Sequence, residues 1–253
     1  MFTRWLTRLA TVEEATEREE LEAIYRFRYN VYVREFNVAQ HPDADHGTNM
    51  LSDEEDESPY ASHFYTGTLD AMTSAMRLRS WSAGEVPEDV FDKYSMSIFP
   101  GVEDLNVAEV AKMMIQPTLR GKLLYPSLLC AGFEFLAKEK AVDLVFLYSV
   151  PGVISHYVNQ GARVYGAQIS AMQTMVPLVI VMSDYEHLKK RGSAVAPIVK
   201  QYYGPGKNRC LNVDDFREVF DSSRVPVTFR RSKVREDVAH FVERMERKPP
   251  IFE

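Results

Sequence analysis

The chain has 253 residues and 45% apolar content, enough to bury one large hydrophobic core or two small ones. Its 36 acidic side chains outnumber 30 basic ones, so the net charge of -6 gives no general attraction to nucleic acid. Two cysteines without metal-binding spacing, no signal-peptide pattern and no run of about 18 apolar residues together favour a cytoplasmic protein without a transmembrane segment.

The first predicted element is a helix over residues 13–36. Thr11 and Glu14 have the spacing of a capping box, and apolar residues then recur at helical intervals. Residues 37–62 are polar and contain the acidic run 53–57, so we expect a loop with short pieces of structure. A loop of this length is usually functional or disordered, which makes it a candidate wall of a binding site.

The rest of the chain has the pattern of a mixed sheet with helices. In chain order we predict an antiparallel hairpin from HFYTGTLD and AMTSAMRLRSW, a helical segment over 87–94, a strand over 105–115, a helix over 122–139, a central strand in VDLVFLYSV, a short helix over 151–160 and strands over 162–169 and 176–182. This order predicts an α/β fold with an α+β mixed sheet and a right-handed, parallel strand–helix–strand centre. We expect one domain over 1–183, with a mostly helical extension over 184–253 packed on it.

Two charged residues interrupt apolar faces. Glu109 lies on the apolar face of the predicted strand over 105–115, where an unpaired carboxylate would be costly. It is therefore either part of a structural salt bridge or a working base or substrate anchor. Arg28 interrupts the apolar stripe of the first helix, and its candidate partners are Glu109, a substrate carboxylate or Glu35.

Two further motifs have both a functional and a structural interpretation. Arg120, Gly121 and Lys122 precede a helix, where free backbone N–H groups and two cations suit a phosphate, although many helices begin after a basic turn without a ligand. Tyr157, in HYVNQGARVYG, either donates a proton to a leaving group or packs with its hydroxyl at the surface.

One loop also carries the side-chain types that bind metals. Its candidate ligands are His41, Asp43, Asp45 and His46. Because the loop is polar, solvated side chains are the simpler interpretation, so we expect no metal.

Together these segments resemble the GNAT superfamily of N-acyltransferases, over roughly residues 15–183. QPTLRGKLLYPSLL is similar to its pyrophosphate-binding signature, with Gly121 at the glycine, and HYVNQGARVYG is similar to its Tyr-x-x-x-Gly segment, with Tyr157 at the tyrosine. The resemblance implies the GNAT acyltransferase fold with additional C-terminal helices, and Tyr157 as the acid that protonates the departing thiolate. The residues implied to contact the donor are Met113, Met114, Ile115, Arg120, Gly121 and Lys122.

A narrower resemblance is to the acyl-homoserine lactone synthases and the long-chain N-acyl amino acid synthases. IYRFRYNVYVREF is similar to their first-helix pattern, DEEDESPYASHF to their spaced aspartates before Ser-x-His, and AEVAKMMIQP to their Glu-x-x-Arg strand motif. In the last motif Glu109 is kept and Lys112 replaces the arginine. The substrate-binding residues that this resemblance implies are Arg28, Tyr32, Asp53, Asp56, His63 and Lys112.

The resemblance implies an N-acyltransferase that moves a medium- or long-chain acyl group from acyl carrier protein (acyl-ACP) or acyl-CoA to a small amine, such as an amino acid. The acyl thioester would be a co-substrate, acyl carrier protein a partner, and no cofactor would be tightly bound. Glu109 would be the base or the amine anchor, and Arg28 would clamp an acceptor carboxylate. The alternative, motivated by Lys112 and Leu123, is a degenerate, non-catalytic GNAT module that binds an acyl thioester or a protein partner.

Overall fold

The computed structural model describes residues 11–36, 38, 41–119, 124–165, 168–169, 174–204 and 211–222. The chain divides into two compact units. The first comprises Met1–Ser80 and Ala108–Lys140, and the second comprises Trp81–Val107 and Ala141–Glu253.

The strands and α-helices assigned in the described residues follow the predicted order over most of the chain. The strands are β1 Val12–Ala15, β2 Ala44–Asp45, β3 Met50–Leu51, β4 Ala61–Gly67, β5 Met72–Trp81, β6 Val107–Ile115, β7 Leu144–Ser149, β8 Arg163–Val164, β9 Gln168–Ile169 and β10 Thr174–Val181. The α-helices are α1 Arg18–Tyr29, α2 Glu88–Lys93, α3 Leu124–Lys138, α4 Ile154–Asn159, α5 Tyr185–Lys190, α6 Ala196–Tyr203 and α7 Arg217–Ser222. A π-helical segment, Asn30–Glu35, continues α1, and the acidic run contains a 3₁₀ turn, Glu54–Glu57.

The start of the chain differs from its prediction. The segment VEEA is strand β1, paired antiparallel with β4, so the predicted helix over 13–36 is wrong in its first turn. The predicted capping box is also wrong, because Glu17 and Glu20 form it: the Glu20 carboxylate accepts the N–H groups of Thr16 and Glu17. Pairing with a neighbouring strand satisfies the backbone of this short polar segment better than one extra helical turn.

In the first unit β1, β4, β5 and β6 lie side by side in that order. The predicted hairpin is confirmed: β4 and β5 are antiparallel, with Ala61 opposite Arg79. Its turn requires glycine, since Gly67 has a φ of +95° and a Cβ there would lie 2.5 Å from the Ala71 carbonyl oxygen. The buried side of α1 packs in one apolar cluster with residues of β4, β5 and β6.

The second unit is built around β7 and β10. These two strands are antiparallel, and β8 and β9 both pair with β10, so the strand predicted over 162–169 is two short strands. The core here is aromatic: the ring centroids of Phe99 and Tyr165 are 4.9 Å apart, and those of Phe99 and Phe146 are 5.4 Å apart. The described part of the segment after residue 184 contains helices α5, α6 and α7. Every described helix is too short or too polar to cross a membrane.

Candidate active site

A network of buried and partly buried charges lies within the first unit. It is contributed by α1, the acidic run that contains Glu54–Glu57, and strands β4, β5 and β6. Its cations are Arg28, Arg77, Arg79 and Lys112, its carboxylates are Asp53, Glu55, Asp56 and Glu109, and His63 completes it. Four cations therefore face four anions. Charges can be buried at this density only because each is paired.

Arg28 is fully buried, and its guanidinium pairs with the acidic run. Its Nη1 donates to Asp56, 2.6 Å from both carboxylate oxygens, and its Nη2 lies 3.2 Å from Nδ1 of His63. Neither Glu35 nor Glu109, the two protein partners considered from the sequence, occupies this position, because the chain reversal after α1 brings Asp56, 28 residues later, against it. The role of Arg28 as a clamp for an acceptor carboxylate stays a prediction.

His63 is held as the neutral tautomer with its proton on Nε2. Because Nδ1 faces a guanidinium N–H, it must accept, and Nε2 then donates to the Asp56 carbonyl oxygen at 3.1 Å. Burial lowers the pKa of His63, and the nearby charge of Arg28 lowers it further. His63 thus holds the acidic run without carrying charge.

Two arginines on β5 were missed by the sequence analysis. Arg77 and Arg79 are two residues apart and so lie on one face of the strand. Arg77 donates to Asp53, Glu55 and Asp56. The criterion that identified Glu109 also applies to these two arginines, because both are charged residues at alternate positions of a strand whose neighbours are apolar.

Glu109 is 1% exposed and paired with Arg79. Both Nε and Nη2 of Arg79 lie 2.6 Å from its Oε2. Of the alternatives left open by the sequence, an ion pair is present, and its partner comes from β5 rather than from α1. The pair orients the carboxylate and offsets the cost of burying it; whether Glu109 also takes part in catalysis stays a prediction.

Lys112 has a backbone conformation that few side chains adopt in a strand. Its φ is +51°, in the left-handed region, which interrupts the regular alternation of β6. Its Nζ lies 2.9 Å from Oδ2 of Asp53. Burial acts to raise the pKa of Asp53, but Lys112 and Arg77 outweigh it and lower that pKa well below its usual range. Asp53 is therefore ionised.

The other predicted site residues are spread over the chain. Tyr32 packs between the rings of Phe36 and His41, and burial raises its pKa. Met114 is buried in the apolar cluster on α1, while Met113 and Ile115 are half-buried. Arg120, Gly121 and Lys122 lie outside the described residues.

Tyr157 is in α4, in the second unit. The helix ends at Asn159. Gly161, two residues later, has a φ of +94°, and a Cβ there would lie 2.3 Å from Leu188 Cδ2. The glycine of the Tyr-x-x-x-Gly segment is thus required by backbone conformation and by space.

Hydrogen bonds order the loop that contains His41, Asp43, Asp45 and His46. Asp45 accepts from the backbone N–H groups of Gly47 and Thr48, and the Tyr29 hydroxyl lies 2.8 Å from His46 Nδ1. Within the described ranges, no group of three or more histidine, cysteine, aspartate or glutamate side chains is placed to hold a metal ion.

Comparison by structure places this fold among acyltransferases. FeeM, an N-acyl amino acid synthase from uncultured soil microbes, is 15% identical with a TM-score of 0.53, over 74% of this chain and 97% of FeeM. BjaI, a CoA-dependent acyl-homoserine lactone synthase solved with SAM and isopentyl-CoA, is 10% identical with a TM-score of 0.55, over 83% of this chain and 98% of BjaI. MesI, another CoA-dependent acyl-homoserine lactone synthase, is 15% identical with a TM-score of 0.51, over 80% and 100% of the two chains.

By sequence, no protein-family model and no curated protein matches the chain. The structural likeness nevertheless confirms the predicted fold: the protein has the mixed α/β, GNAT-like acyltransferase fold. Because identities of 10–15% show the fold alone, the chemistry must be argued from the site.

Proposed function

We propose that the protein is an N-acyltransferase that moves a medium- or long-chain acyl group from acyl-ACP or acyl-CoA to the amine of a small molecule, with an amino acid as the first candidate acceptor. The observation that carries this proposal is the assembly of the charged network. Segments that lie far apart in the sequence and resemble the motifs of one acyltransferase branch contribute Arg28, Asp53, Asp56, His63 and Glu109 to it. The chain also has the fold of that branch.

The reaction requires two proton transfers and one charge to be stabilised. The amine nitrogen attacks the thioester carbonyl, a C–N bond forms, the C–S bond breaks, and a thiol leaves. The attacking amine must lose a proton, the tetrahedral oxyanion needs an N–H donor, and the thiolate must gain a proton. We assign the first role to Glu109 and the second to backbone N–H groups of Met113–Ile115. Protonation of the thiolate by Tyr157 stays the prediction that the resemblance implies.

Glu109 is suited to its role by its surroundings. Arg79 holds Oε2 and so fixes the plane of the carboxylate. We assign proton transfer from the acceptor amine to Oε1, directly or through a water molecule. A base held this way needs no side-chain reorganisation during the reaction.

The acidic run is proposed to form the acceptor side of the site. Glu54 and Glu57 are exposed, so the run presents negative charge to solvent. Asp53, Glu55 and Asp56 pair with cations, and these ion pairs fix the conformation of the run. An ammonium group is drawn to such a surface. We assign Arg28 to fixing this run, since its guanidinium is fully buried against Asp56.

A coupled assay tests the function. The purified protein is incubated with acyl-CoA or acyl-ACP of graded chain length and with pooled amino acids and simple amines, and mass spectrometry follows amide product and free thiol. We expect both products to appear together and only when an amine is present. Donor binding without thiol release, for every donor and acceptor, would instead support the non-catalytic module.

A further inference from the structure

Glu55 connects the two arginines of β5. Its Oε2 accepts from Arg77 Nη2, and its Oε1 lies 2.9 Å from Arg79 Nη2. The same Nη2 of Arg79 lies 2.6 Å from Oε2 of Glu109. Arg79 is therefore shared between two carboxylates, one from the acidic run and one from β6.

The two carboxylates that share Arg79 differ in exposure. The Glu55 side chain is 32% exposed and the Glu109 side chain 1%. A half-exposed carboxylate can yield its place to water or to a ligand, whereas a buried one cannot. Glu55 is thus the adjustable partner of Arg79, and Glu109 the fixed one.

We propose that Glu55 is a positioning residue that limits how tightly Arg79 holds Glu109, and so keeps the Glu109 carboxylate able to take a proton from the acceptor amine. This inference rests on the proposed function. Glu55 does not touch the reacting atoms; it acts through the guanidinium of Arg79.

The sign of the effect follows from the charges that surround the pair. Glu55 and Asp53 come from the acidic run, Arg77 from β5, and Lys112 from β6. Removing the charge of Glu55 leaves the local balance more positive and takes one of the two carboxylates described above away from Arg79 Nη2. A more positive surrounding stabilises the Glu109 anion and makes it a weaker base.

The test compares Glu55→Gln with Glu14→Gln, which removes the same charge from an exposed position of β1 in the same unit. The readout is the pH profile of kcat/KM for amine-dependent thiol release. For Glu55→Gln we expect turnover at neutral pH to fall about tenfold and the acid limb of the profile to move about 0.5–1 unit to lower pH. For Glu14→Gln we expect little change in either.

Three outcomes are distinguished by these measurements. A Glu55→Gln enzyme that loses activity equally at all pH values has only lost folded protein, which overturns the positioning role. An acid limb that moves as little as in Glu14→Gln overturns it as well. If wild-type protein shows no amine-dependent thiol release, the proposed function itself has failed. Glu55→Asp, which keeps the charge on a shorter side chain, should restore the position of the acid limb at least in part.

Discussion

The interiors of the two units are stabilised in different ways. In the first unit, nine ionisable side chains are held together by ion pairs around β5 and β6, whereas in the second unit the core is a cluster of aromatic rings around Phe99 and Phe146. Aromatic packing contributes to stability through buried area and contact. Buried ion pairs contribute little net stability, because desolvation offsets much of their attraction.

The contrast indicates what each region is for. The first unit also has an apolar cluster packed on α1, so its ion pairs are not needed to supply a core. The charged interior of the first unit fixes the orientation of specific carboxylates instead. We therefore expect variants of the charged network to change activity and pH dependence, and variants of the aromatic cluster around Phe99 to change stability only.

The largest effect is expected for Arg28→Ala. It leaves the buried Asp56 carboxylate without its main partner, which costs about 3–5 kcal/mol of unfolding free energy. Denaturant-induced unfolding measures the loss. Arg26→Ala is the matched control on the same helix, because Arg26 is 44% exposed and pairs with Glu22 at 3.7 Å, an interaction worth about 0–1 kcal/mol. Equal losses in the two variants would contradict the role of the buried pair.

Phe99→Ala probes the aromatic cluster. Loss of a buried ring that contacts Phe146, Tyr165 and Phe216 should cost roughly 3–5 kcal/mol. Activity per folded molecule, measured well below the unfolding midpoint, should be unchanged. A change in the acceptor KM or in the pH profile would show that the aromatic cluster contributes to activity. It would contradict the proposed difference between this cluster and the charged network.

A smaller decrease in the free energy of unfolding is expected from protonation of His63 as the pH falls. Its pKa is lowered in the folded protein, so the unfolded chain binds more protons below about pH 6.5 and the free energy of unfolding decreases there. The contribution is fully present above pH 6.5 and should fall by about 1 kcal/mol per pH unit below it, until the folded protein also binds the proton. Unfolding of wild type and His63→Gln, compared between pH 5 and 7, measures it. His41 and His187 also have lowered pKa values, so only the difference between the two proteins reports on His63.

The parts of the fold with strong local patterns were predictable. The hairpin, β6, β7 and β10 were all expected from their apolar strand patterns. The segment VEEA was not, because four residues fit a helix start as well as a strand, and only the presence of β4 beside them decides.

For Arg28 and Glu109, burial was predictable from the sequence but the ion-pair partner was not. Burial of Glu109 and Arg28 followed from the apolar faces that they interrupt, and both are buried. Their partners did not follow: Asp56 is 28 residues from Arg28, and Arg79 is 30 residues from Glu109. Several carboxylates were available to each arginine, and tertiary packing rather than local sequence selects among them.

The most direct test of the catalytic role of the charged network is the rate of amine-dependent thiol release by wild type and Glu109→Gln. Glutamine keeps nearly the same volume and can still accept from Arg79, but it cannot take a proton from an amine. We expect the variant to remain folded and its turnover to fall by at least about 10²-fold, the usual contribution of a general base. Turnover close to that of wild type would show that Glu109 serves only to pair with Arg79.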